Sequence, residues 1–270
     1  MCYLKVMLAL IMMIGSFGVT TAHATTINHE RVAIKKIIKR DLHHVHGRWS
    51  VKVTRLNRRQ MSVTTGNHKV QGQRSASTIK VFVMLTIFQR ARTHHLKLTR
   101  TVKNDLARMI HNSDNAATNR LIRRLGGFRR VNQTMVKFGF KQSHLRRYMM
   151  DTRALRRGRD NTTSVKDLTR FLTLTSQNNL LGKTYDRKMM TLLHHCRNHS
   201  KLPKLVKHAA VYNKTGEFPT KGVQNDASLF KTKQGTYTVV VMAQQENQSQ
   251  QYQAMNRLGR DVVRYLNTHR

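Results

Sequence analysis

The chain has 270 residues, 50 of them Lys or Arg against 12 Asp or Glu, for a formal net charge of +38. With 39% hydrophobic residues and 2 Cys it is neither a disordered basic tail nor a disulfide scaffold, and a single apolar run at the N-terminus excludes a polytopic membrane protein. The length suffices to bury a full core, as one large domain or two lobes.

In chain order, Lys5 precedes an apolar stretch from Val6 to Val19, and Ala22-His23-Ala24 follows with the small-x-small pattern of a cleavage site. Residues 1–24 therefore read as an export signal and 25–270 as a secreted chain, whose one remaining thiol, Cys196, leaves stability to core packing. From about Asn28 to Leu42, Val32, Ile34, Ile37 and Ile38 recur at helical spacing. Arg48–Leu56 alternates around Trp49, Val51 and Val53, and with Met61–Thr65 predicts two strands. From Ser77 to about Asp186 the pattern is helical, punctuated by Gly126-Gly127 and Gly158 and broken near Pro203. Val211–Phe218, Asn225–Phe230 and Thr236–Gln244 predict three further strands, and Tyr252–Leu266 a closing amphipathic helix.

The simplest packing is α+β. The two ends meet as one antiparallel sheet flanked by N- and C-terminal helices (about 25–66 and 208–270), and an all-helical lobe (about 67–207) is inserted between them. A cleft between such lobes is where a site is expected.

The charge has two readings. A basic surface releases counterions from nucleic-acid phosphate, yet no helix-turn-helix, zinc finger or aromatic-basic motif is present and aromatics are only 6%. For an exported chain the expected polyanion is instead the cell envelope, with anionic wall polymers as partners and no nucleic acid.

Three short motifs carry chemistry. Ser77-Thr78-Ile79-Lys80 opens an apolar helix, where free N–H groups gather at the N-terminus and Lys80 lies one turn from the Ser77 hydroxyl. A lysine among apolar neighbours is desolvated, which favours the neutral form and equips it as a base. Ser113-Asp114-Asn115 follows a helical segment, and Asp114 can hold a turn that aims Ser113 and Asn115 into a cleft. Lys214-Thr215-Gly216 lies on a predicted strand, where Lys214 can attract a carboxylate and glycine permits close backbone approach. Each motif alone is equally a cap, a turn or a strand end.

Together, in this order, they resemble the penicillin-recognising serine enzymes, above all the class A serine β-lactamases. The context is similar too: Met109-Ile110 before Ser113, Ala117 and Asn119 after it, and Asn225-Asp226 opening the next strand. The resemblance covers nearly all of residues 25–270. It implies a β-lactamase/DD-peptidase-like fold and acyl-serine chemistry without cofactor or metal. Ser77 would be the nucleophile, Lys80 its base and Ser113 the proton donor to the leaving nitrogen. Asn115 would bind the substrate amide, Lys214, Thr215 and Gly216 its carboxylate end, and the backbone N–H groups of Ser77 and Glu217 the oxyanion. Arg147 and Asp160 would close the family's omega-shaped loop over the site.

Two departures stand out. The family's loop glutamate, which activates the deacylating water, is missing: the only glutamates are Glu30, Glu217 and Glu246, and Met149 falls at its place. Arg153 falls where an asparagine is usual, and Asp151 is the sole acid inside the loop and a possible substitute base. The stretch from Ser77 to Ser113 is also short for the family. A separate cluster, His194, His195, Cys196 and His199, invites a metal reading, but no acid accompanies it and a solvated or packing role is expected. The expectation is an exported, monomeric β-lactam hydrolase with slow deacylation. The alternatives are a DD-peptidase acting on D-Ala-D-Ala-like peptides or a β-lactam-sensing, wall-binding domain.

Overall fold

The computed structural model describes residues 27–57, 60–68 and 72–269, so the expected export signal lies outside the described residues. The chain begins with helix α1 (27–41), then strands β1 (Arg48–Arg55), β2 (Met61–Gly66) and β3 (Gln73–Arg74). A 3₁₀ turn, Ala76–Ile79, leads directly into α2 (Lys80–Arg92), followed by α3 (Arg100–His111), α4 (Asn115–Arg124) and α5 (Phe128–Lys137). Next come α6 (Thr152–Arg156), β4 (Thr162–Thr163), α7 (Val165–Ser176) and α8 (Lys183–His194). Strands β5 (Ala210–Phe218), β6 (Val223–Lys231) and β7 (Thr236–Gln244) precede the long closing helix α9 (Gln248–Thr268).

Five strands pair antiparallel in the order β2-β1-β7-β6-β5, so the first two strands lie beside the last three and β5 forms an edge. Because alternate residues of a strand face opposite sides, β7 serves two cores at once. Tyr237, Val239, Val241 and Ala243 join the cluster under α1 and α9, whereas Val240 and Met242 join the helical cluster on the other face. That double burial is why β7 reads as an unbroken apolar run. Helix α9 meets the sheet through Ala254, Met255, Leu258, Val262 and Leu266, spaced about one turn apart.

Helix α2 is buried all round, from Val81 to Phe88, and runs through the middle of the helical side. Its Phe82 ring packs 4.9 Å from Phe140 and 5.9 Å from Phe171, centroid to centroid. The core thus fixes α2 rigidly, and with it the residue at its first position, Lys80.

The structure refines the sequence expectations in three places. The helical stretch runs on to His194, through α8. A two-stranded ribbon ties that stretch to the segment before it, β3 with β4, pairing Gln73 with Thr163 and Arg74 with Thr162. Ser77 sits in the 3₁₀ turn just before α2 and not on the α-helix itself.

Candidate active site

The turn that carries Ser77 is hung from the sheet. Asn225, on β6, donates from Nδ2 to the carbonyls of Arg74 (2.9 Å) and Ser75 (3.0 Å), while its Oδ1 accepts from Ala243 N–H at 3.3 Å. Edge strand β5 comes in beside it, and Gly216 makes this possible. A Cβ on Gly216 would lie 2.7 Å from Ser75 O, 3.0 Å from Thr78 N and 3.1 Å from Ser77 N, so any side chain would push the strand off the turn.

Lys80 is fully buried, and its Nζ is surrounded by oxygen. Ser113 O lies at 2.6 Å, Asn115 Oδ1 at 2.8 Å, Ser77 Oγ at 2.9 Å and Ser113 Oγ at 3.2 Å. Burial, and then the neighbouring Lys214 ammonium, push Lys80 well below its ordinary pKa. A neutral amine has two N–H donors and one lone pair. In the neutral form that this lowering favours, the two shortest contacts, to Ser113 O and Asn115 Oδ1, would take the donors and leave the lone pair for the Ser77 hydroxyl.

Ser113 is held in a left-handed conformation, φ 57°, which is uncommon for serine and is enforced by its neighbours. Asp114 caps α4 by accepting from Ala117 N–H at 2.8 Å, and Arg108 Nε donates to its other oxygen at 2.9 Å. From β5, Lys214 Nζ donates to Ser113 Oγ at 3.1 Å and to Thr215 O at 3.0 Å. With its oxygen accepting from Lys214, the Ser113 hydroxyl proton is free to point at a ligand. Ser77, Lys80, Ser113, Asn115 and Lys214 are therefore brought into one hydrogen-bonded array.

Ion pairs join the two ends of the loop from Arg147 to Asp160. Arg147 Nε pairs with Asp160 Oδ1 at 2.8 Å, and Arg74 Nη1 takes Oδ2 at 2.5 Å. Asn161 adds a second clasp, its Oδ1 accepting from the N–H groups of Arg146 (2.7 Å) and Arg147 (3.0 Å). Inside the loop, Asn119 grips Met149 from both sides, accepting from its N–H at 2.8 Å and donating to its carbonyl at 3.1 Å. Met149, Ser77, Asn115 and Asp151 all line one cavity of about 120 Å³. Asp151 caps α6, accepting from Ala154 N–H at 2.9 Å. Arg153 is exposed.

A larger cavity of about 640 Å³ continues along β5 past Ser113, Lys214 and Thr215. Here the structure adds residues that the sequence reading did not single out. Lys201, fully buried, donates to Glu217 Oε1 at 2.5 Å and to Asn225 O at 3.1 Å, and Asn198 Nδ2 also donates to Glu217 Oε1 at 3.1 Å. A lysine in a chain with 50 Lys and Arg carries no local signal of such a role. The histidines of the candidate metal cluster are exposed and engaged otherwise: His194 Nδ1 lies 2.8 Å from Val211 O and His195 Nδ1 2.8 Å from Thr191 O.

Chemically, the array offers a serine hydroxyl against a buried lysine amine of lowered pKa, a second hydroxyl held by Lys214, and a sheet edge alongside. It is suited to attack on an acyl carbon.

No curated protein sequence is similar enough to count as a match. Among solved structures, the β-lactamase of Sphaerobacter thermophilus superposes with a TM-score of 0.72 at 18% identity, over 86% of this chain and 96% of that one. The TLA-1 extended-spectrum β-lactamase gives 0.77 at 16% identity, over 88% and 99%. A mutant of PBP-A, solved as an acyl-enzyme complex with penicillin G, gives 0.75 at 20% identity, over 87% and 96%. These likenesses establish the β-lactamase/DD-peptidase-like fold. A sequence profile of the beta-lactamase enzyme family matches residues 101–266, more than half of the chain, and on that ground the protein belongs to the β-lactamase family.

Proposed function

We propose that this protein is an exported acyl-serine hydrolase that opens β-lactams through an acyl-Ser77 intermediate and releases it slowly. The observation that carries the reading is the buried Lys80 Nζ, 2.9 Å from Ser77 Oγ and within 3.2 Å of Ser113 Oγ. Ser77 Oγ attacks the lactam carbonyl as its proton passes to the neutral Lys80 amine. Backbone N–H groups of Ser77 and Glu217 hold the oxyanion, a kind of contact typically worth about 3–4 kcal/mol per donor. Collapse breaks the C–N bond, and Ser113 gives its proton to the leaving nitrogen while Lys214 and Thr215 hold the substrate carboxylate.

Hydrolysis of the ester needs a water deprotonated as it attacks. Met149, at the wall facing Ser77, has no proton acceptor, and this favours a long-lived acyl-enzyme. The same observation supports a second reading, a peptidoglycan-directed DD-peptidase or a β-lactam sensor, in which the long-lived adduct is the inhibited or signalling state.

Intact mass followed over time after mixing with a penicillin tests the proposal. The expected result is a rapid stoichiometric adduct on Ser77 that decays slowly, and none on Ser77→Ala. Labelling at Ser113 or Thr215 overturns it. Release of D-Ala from a D-Ala-D-Ala peptide selects the peptidase reading. The +38 charge and the Val6–Val19 apolar run support placement in an anionic cell envelope after export.

A further inference from the structure

The two cavities of the cleft divide between the two sides of the bond that the proposed chemistry breaks. The smaller is bordered by the nucleophile Ser77 with Asn115 and Met149, the acyl side. The larger is bordered by the proton donor Ser113 with Lys214 and Thr215, the leaving-nitrogen side. One substrate carboxylate at Lys214 and Thr215 fills little of the larger cavity, whose volume of about 640 Å³ is that of a whole small-molecule pocket. The rest of its wall consists of polar groups that the chemistry leaves unused.

Two cations stand in that wall. Arg197 and Lys204 are exposed, and among the described residues neither forms an ion pair. Their backbones are anchored. Arg197 N–H donates to His111 O at 3.0 Å, which ties it to the end of α3, two residues before Ser113. Lys204 N–H donates to Lys201 O at 3.0 Å, and Lys201 is itself fully buried and bonded to Glu217. Glu217, the one carboxylate bordering this cavity, is already held by Lys201 at 2.5 Å and by Asn198 at 3.1 Å, so it leaves Arg197 and Lys204 unneutralised. His111 also borders the cavity, and its Nε2 is buried without a hydrogen-bond partner.

We propose that this cavity holds a second anion subsite. Beyond the carboxylate at Lys214 and Thr215, the enzyme recognises acyl donors with a further anionic group, such as a carboxylate or sulfonate, on the leaving-nitrogen side, met by Arg197 and Lys204. The inference rests on the acyl-serine reading and names its preferred substrates. Charges at the rim of a cleft act chiefly on capture of the ligand, so the preference belongs to the second-order rate of acylation.

The test uses two cephalosporins, cefamandole and cefonicid. They share nucleus and acyl side chain and differ on the tetrazole of the C3 arm, which bears a methyl group in the first and a sulfomethyl group in the second. That arm branches from the ring of the leaving nitrogen, beside the carbon that carries the carboxylate. Acylation rates are read by intact mass on the full chain in wild type, in Arg197→Gln with Lys204→Gln, and in Lys35→Gln with Lys36→Gln. The last pair, exposed on α1, removes the same charge from the other face of the sheet, where Ile34 and Ile38 pack. The cefonicid-to-cefamandole ratio within one preparation cancels any loss of folded enzyme. It is expected at about fivefold or more in wild type, to fall by about threefold or more in the cleft variant, and to hold in the α1 variant. A ratio near one in wild type, one unchanged in the cleft variant, or an equal fall in both variants overturns the proposal while leaving acyl-serine chemistry intact. Absence of a Ser77 adduct from either compound in all three proteins overturns the acyl-serine reading itself, and this inference with it.

Discussion

Lys214 Nζ donates to Ser113 Oγ at 3.1 Å, joining two residues 101 positions apart, one on the edge strand β5 and one on the loop before α4. The contact carries the fold's logic into its chemistry. It sets the Lys214 side chain beside the serine that hands on a proton, and the charge of Lys214 also lowers the pKa of Lys80.

From that second effect follows a pH dependence. Lys80 titrates well below a free lysine because it is buried and faces Lys214. The active amine is lost as pH falls through that lowered pKa, so acylation should decline on the acid side and hold a plateau above. Lys80→Arg, which stays protonated, should lose acylation by about 10²–10⁴-fold at every pH. Adduct formation measured against pH checks both; an acylation rate that rises toward acid would exclude Lys80 as the base.

Met149 predicts where turnover can be gained. Its backbone is clamped by Asn119, so a glutamate placed there projects from the same point into the cavity shared with Ser77. Met149→Glu should speed decay of the acyl-enzyme by about tenfold or more, within the 10²–10⁴-fold that general-base assistance typically supplies, and change acylation far less. If wild type already clears penicillin without an adduct, Asp151→Asn must create the stalled species.

At Gly216 the prediction is steric. Alanine would bring a methyl group to 2.7 Å from Ser75 O, and backbone cannot yield as a flexible side chain can. Gly216→Ala should lower acylation by about 10²-fold, since a shift of about 1 Å at a reacting centre has that effect. A melting comparison will register the same clash as lost stability.

Asp226 governs stability against pH. Burial pushes its carboxyl up to about 6 from 3.8, despite Lys201 nearby. A carboxyl whose folded pKa is raised contributes stability below its unfolded pKa, and that contribution is lost as pH rises through about 6. Asp226→Asn, which mimics the protonated form, should therefore gain on wild type by up to about 3 kcal/mol between about pH 4 and pH 7. Urea denaturation of both proteins at the two pH values measures the difference; a gap independent of pH would place the titration elsewhere.

The surplus of basic residues predicts salt-sensitive retention on isolated cell walls. Exposed charges are screened over about 8 Å at physiological ionic strength, so retention should fall steeply as salt is added. Ser77→Ala should be retained as well as wild type, since the site plays no part. Salt-independent binding would point to a specific contact instead.

Much of this was legible in the sequence because its signals are local. Strands such as β1 alternate, α9 repeats every turn, and the three motifs each place reacting groups within a few residues of one another. What escaped is what only the tertiary structure creates. The β3–β4 ribbon has two residues per strand, too few for any periodicity. Lys201 looks like any other lysine until Glu217 and Asn225 O surround its ammonium. Asn225 was visible as part of a motif, but its grip on the carbonyls of Arg74 and Ser75 belongs to the folded state alone.

That grip has a consequence for motion. Segments that open on their own are those with few ties to the core, and active-site loops usually rank among them. The Ser77 turn is different: its carbonyls are bonded to an interior strand of the main sheet, and it runs without a break into a helix buried all round. Amide exchange in the Ser77 turn should therefore be as slow as in the sheet, the two opening together.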